Sequence, residues 1–66
     1  MFYTFQSLTD EFGNDLILRV GRATKDSRTA KRQLDRLNRG EIRDEFNRLL
    51  AIKFGDSLKT VQDFMK

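Results

Sequence analysis

The sequence predicts an α+β domain, an N-terminal two-stranded antiparallel β-hairpin followed by two or three short helices, in the order ββααα. Three observations carry that expectation. Apolar residues alternate on both sides of a glycine-containing turn near residue 13, and apolar spacing changes to three and four residues from Asp26 onward. Glycines at 40 and 55 then interrupt the helical pattern where short helices would end. The 66 residues suit a single small domain over 1–66, with the hairpin at about 2–22 and helices at about 27–38, 41–54 and 57–65.

In the hairpin, Gly13-Asn14 is read as a two-residue turn, because glycine readily takes the positive φ such turns need. That centre pairs Phe5 with Arg22, Ser7 with Val20 and Glu11 with Leu16. It gathers Tyr3, Phe5, Leu16, Leu18 and Val20 on one face and leaves Thr4, Gln6 and Arg19 on the other. Two strands alone are marginally stable, so helices or a second subunit must cover the apolar face.

Asp26 or Ser27 can cap the first helix, whose inner positions are Ala30, Leu34 and Leu37. Gly40 is expected in the left-handed conformation that ends it. The second helix would carry Ile42, Phe46, Leu49, Leu50 and Ala51, with Gly55 as its stop. Asp56 or Ser57 would cap the third, with Leu58, Val61, Phe64 and Met65 inward. No internal repeat, linker or proline is expected to divide the chain.

The net charge of +3 is unevenly placed. Residues 1–18 hold Asp10, Glu11 and Asp15 without a lysine or arginine, whereas residues 19–48 hold ten basic and five acidic side chains. At about 100° per residue, Lys25, Arg28, Arg32, Arg36, Arg39 and Arg43 would fall within an arc of about 80° on one continuous helix. The apolar phase shifts at Gly40, however. Lys25, Arg28, Arg32 and Arg36 therefore form the row, Arg39 sits at a turn, and Arg43 flanks the next core face. Asp35 can pair with Lys31, Arg32 or Arg39, and Asp44 with Arg48, so part of this surface is an ordinary solvated helix face. Arginine outnumbers lysine eight to five, and its planar guanidinium suits phosphate or carboxylate.

Much chemistry is excluded. Without cysteine or histidine, the chain lacks a disulfide framework, thiolate ligands and the commonest general base. "DEFGND" at 10–15 misses the calcium-loop spacing, since position three is Phe12 and the glycine arrives at position four. The glycines are isolated, so no phosphate cradle is formed. A helix–turn–helix over 28–53 fits poorly, because Arg36 occupies a place usually small and Glu41, Asp44 and Glu45 would face phosphates. No enzyme activity, cofactor, metal, small-molecule substrate or membrane span is expected, and a cytoplasmic setting follows from that reading.

Two functions remain. The first is a small regulatory protein associated with nucleic acid through Lys25, Arg28, Arg32, Arg36, Arg39 and Arg43, working as a homodimer. The alternative is a protein-binding modulator, an adaptor or inhibitor of a larger assembly such as mobile elements and phages encode. It would use the hairpin edge and the same basic residues on an acidic protein surface.

Overall fold

The computed structural model describes residues 1–61 and residue 64. Its elements are β1 (Phe2–Thr9), β2 (Asp15–Thr24), α1 (Ser27–Asp35), β3 (Arg39–Asp44), β4 (Leu49–Phe54) and β5 (Ser57–Thr60). The strands form one antiparallel sheet in the order β2-β1-β3-β4-β5. This corrects the ββααα expectation and the α+β description built around a basic helix. Among the described residues the fold is mostly sheet with a single short helix, and the segments expected as helices at 41–54 and 57–65 hold strands β3, β4 and β5. Residues 62, 63 and 65 of the third expected helix lie outside the described residues.

The helical spacing of Ile42, Phe46, Leu49 and Leu50 is produced by a strand, a loop and a strand. Ile42 points into the core from β3, Phe46 projects from the loop with 72% exposure, and β4 begins at Leu49. The loop resets the phase, so two short strands imitate one amphipathic helix. Local bonding makes this loop. The Asp44 carboxylate accepts from the backbone N–H of Phe46 and of Arg48, each at 2.9 Å, and from Arg48 Nε at 2.7 Å.

The same device closes the first hairpin. Asp10 accepts from the N–H of Phe12 at 2.9 Å and of Asn14 at 2.8 Å. In both loops the fourth residue has positive φ, +83° at Gly13 and +63° at Asn47. The backbone bonds also correspond, with Gly13 N–H donating to Asp10 O and Asn47 N–H to Asp44 O. "DEFGN" at 10–14 and "DEFNR" at 44–48 are thus a structural repeat, against the expectation of none.

Two predictions follow from these loops. Asn47→Val should destabilise the domain by about 1–2 kcal/mol, because a β-branched residue tolerates positive φ poorly, while Asn47→Gly should be well tolerated. Equal melting temperatures for the two variants would contradict this assignment. The carboxyls also report on the loops. Hydrogen bonds led by the Asn14 backbone hold Asp10 below the ordinary aspartate range. At Asp44 burial pushes the other way, but the donors of Arg48 and Phe46 together outweigh it. Each contribution to stability is present above the unfolded value of about 3.9 and is lost as pH falls through the lowered native value. Carbon-detected NMR titration should therefore place both midpoints below 3.9. A midpoint at or above that value would show the bonds absent.

Register decides the faces of the sheet. The longer loop pairs Thr9 with Asp15, Leu8 with Leu16, Phe5 with Arg19 and Thr4 with Val20. The expected register from a Gly13-Asn14 turn is shifted by an odd number of residues, which transposes one strand's faces relative to the other. Thr4, Leu16, Leu18 and Val20 consequently share the helix side, while Tyr3 and Phe5 lie on the opposite side with Ile17 and Arg19.

Asp26 is the N-cap of α1, its carboxylate accepting from Arg28 N–H at 2.9 Å. The helix buries Ala30 and Leu34 against Ile42 and Ala51, with Phe64 closing the same core. Phe64 meets Phe2 edge-on, with ring centroids 5.3 Å apart. Gln33 ties the helix to both strands of the hairpin. Its Oε1 accepts from Thr4 Oγ1 at 2.7 Å, and its Nε2 donates to the Arg22 carbonyl at 3.1 Å. Gly40 is no helix stop. It lies buried in β3, where a Cβ would stand 2.6 Å from the Phe5 carbonyl oxygen and 2.9–3.0 Å from Leu37 and Leu34. Among the described residues no helix is long and apolar enough to cross a membrane.

Candidate nucleic-acid interface

The six basic residues singled out from the sequence are divided between opposite sides of the sheet. Lys25 precedes α1, Arg28 and Arg32 lie on it, and Arg36 is its C-cap. All four are exposed and make no ion pair among the described residues. Arg39 and Arg43 belong to β3 and pair with Phe54 of β4 and Tyr3 of β1. Because the intervening Ile42 is buried beneath α1, the alternation of a strand sends Arg39 and Arg43 to the side the helix leaves open. A single six-residue basic ridge does not form.

The open side has a definite composition. One row runs across all five strands as Arg19, Phe5, Glu41, Ile52 and Lys59. At about 4.8 Å per strand its ends lie about 19 Å apart. Beside it stand Tyr3 with Arg43, and Arg39 with Phe54. Phe54 is 59% exposed and Ile52 37%. The Arg19 guanidinium lies 4.7 Å from the Tyr3 ring centroid, and that of Arg39 lies 4.4 Å from the Phe54 ring centroid. Such stacks hold the arginine planes against the face and keep their edges for a ligand.

Electrostatics subdivide the face. Glu41 is buried in the middle of the row and ion-paired with Arg43, so the centre is close to neutral. Arg19, Arg39 and Lys59 make no ion pair among the described residues, and Arg39 Nε is buried without a hydrogen-bond partner there. Positive charge therefore frames an apolar and aromatic centre. An anion meets cations at the margins, while a flat group meets rings at the middle.

Tyr3, Phe5 and Phe54 were absent from the sequence-derived site, the first two assigned to the covered core and the third to a helix. The signal that could have found them is the "DEF" repeat. Read as a loop at both places, it sets the hairpin register and turns 41–54 into strands. Among the described residues no cluster of carboxylates is arranged to hold a metal ion. No family model, curated protein or solved structure matches the chain, so the site is judged by its own geometry.

Proposed function

We propose that the protein is a non-enzymatic binder of single-stranded nucleic acid, with the helix-free face of the sheet as its platform. The observation that carries this reading is the pair of arginine–aromatic stacks, Arg19 on Tyr3 and Arg39 on Phe54, on that uncovered face. Bases of an unpaired strand stack on aromatic rings and guanidinium planes, and phosphates need cations nearby. Phe5, Tyr3 and Phe54 supply the rings, while Arg19, Arg39 and Lys59 supply the cations. The Glu41 carboxylate, placed among the rings, can accept from a base amino group and disfavours a phosphate at the centre.

Lys25, Arg28, Arg32 and Arg36 lie on the far side and add to the positive field that draws a polyanion in. This assignment moves direct contact from the helix row to the sheet. It also favours single strands over duplex, because ring faces are of use only where bases are unstacked.

The test is a fluorescence-anisotropy titration with single-stranded RNA, single-stranded DNA and duplex oligonucleotides at several salt concentrations. Single strands should bind more tightly than duplex, and affinity should fall with salt with a slope of about 0.7 per phosphate contact. Removing Arg19 or Lys59 should reduce that slope. Duplex binding equal to single-strand binding would return the contact to the helix row. No binding to any nucleic acid at low salt would leave the alternative, a modulator meeting an acidic protein surface.

A further inference from the structure

The β1–β2 hairpin reaches well beyond the body of the domain. β1 is bonded to β3 only over Phe2–Gln6, so from Ser7 onward the hairpin is, among the described residues, a two-stranded ribbon with both edges free. The molecule measures 39 × 22 × 18 Å, and every residue from Glu11 to Arg19 is exposed. A ribbon solvated on both faces would carry polar residues on both, but the helix-side face of this one does not. Leu8, Leu16 and Leu18 share its helix-side face at 38, 46 and 49% exposure, and Phe12 crowns the tip at 80%. The Asp10 hydrogen bonds fix the tip in one conformation, so little ordering remains to oppose binding.

Charge identifies the occupant. The arm carries Asp10, Glu11 and Asp15 and no base before Arg19. At its foot, on the same side as the leucines, Val20, Gly21, Gln33, Arg36 and Leu37 line a shallow recess. Arg32 stands one helical turn before Arg36, and both are exposed without an ion pair among the described residues. The chain thus holds an acidic, phenylalanine-tipped arm and, about an arm's length away, a basic recess with apolar walls.

We propose that two copies of this chain pair by crossing their arms antiparallel. The Leu8–Leu16–Leu18 faces pack together, and each tip enters the foot of the other arm. Full overlap of two equal arms brings the tip of one to the base of the other. Phe12 then meets Val20 and Leu37 of the partner subunit, and Glu11 meets the partner's Arg36. The contact is isologous and closes as a two-fold dimer. It leaves the open sheet face free, so its failure would not touch the nucleic-acid reading, nor would that reading's failure touch it.

Sedimentation velocity on the full chain, from low to high micromolar concentration and at low and high salt, tests the proposal. A monomer–dimer equilibrium weakened by salt is expected. Leu18→Glu should weaken association by about a hundredfold or more, with the far-ultraviolet circular dichroism unchanged. Arg36→Glu and Glu11→Lys should each weaken it, and the double variant carrying both should recover it. A monomer at every concentration would overturn the proposal. So would a dimer indifferent to Leu18→Glu, or a double variant no better than its parents.

Discussion

Gly40→Ala is expected to remove about 3 kcal/mol of stability, the upper part of the range for forcing extra volume into a packed site. A Cβ at this position would meet the Phe5 carbonyl oxygen at 2.6 Å, and backbone cannot move aside as a flexible side chain can. Leu34 of α1 and Leu37 just after its C-cap close the remaining directions. A domain of this size has roughly 3–10 kcal/mol in total, so the variant should be largely unfolded or close to it. Gly13→Ala provides the contrast. Its Cβ would meet open space, and only the φ of +83° resists substitution, at about 1 kcal/mol. Urea unfolding of both variants measures the difference. Equal midpoints would mean that β3 does not approach β1 as closely as described.

Phe54→Ala should lower affinity for a single strand by about 5- to 150-fold, the worth of one base–aromatic stack. The ring is more than half exposed, so the fold should survive its loss with little change in melting temperature. Its removal also takes away the surface against which Arg39 is held, so stacking and charge placement are lost together. Tyr3→Ala should act in the same direction through Arg19. Phe46→Ala supplies the control. That ring is also exposed and also lies beneath an arginine, Arg48 at 5.4 Å, but it belongs to the β3–β4 loop and to none of the strand positions that make the platform. Binding should not change. Equal losses for Phe46→Ala and Phe54→Ala would show a general effect of removing apolar surface.

The two glycine and phenylalanine experiments touch features that the sequence conveys unequally. The start of α1 was legible, because Asp26 is a carboxylate placed before an apolar stripe and becomes the cap. A strand pair before it was legible from alternation alone. Its register was not, since the expected two-residue turn and the observed Asp10–Asn14 loop differ in parity, and parity decides which residues face the helix. Tyr3 and Phe5 were assigned to the wrong side for that reason.

Gly40 could be read from local pattern as a helix terminator. Its actual reason is the passage of the Phe5 carbonyl over its α-carbon, a contact between distant segments that local pattern does not contain. The same limit applies to the arginines. Spacing grouped Lys25, Arg28, Arg32 and Arg36, and these lie just before α1, on it and at its C-cap. Arg39 and Arg43, which the phase shift at Gly40 already set apart from that row, were placed at a turn and on a second helix, whereas both lie on β3.

The central claim is that single strands bind the face of the sheet opposite α1. Amide and side-chain NMR of the protein, followed during titration with a short unstructured oligonucleotide, tests it most directly. The claim predicts that shifts concentrate at Tyr3, Phe5, Arg19, Arg39, Ile52, Phe54 and Lys59, while Arg28, Arg32 and Arg36 change little. Shifts confined to Lys25, Arg28, Arg32 and Arg36, or no shifts at any accessible concentration, would contradict it.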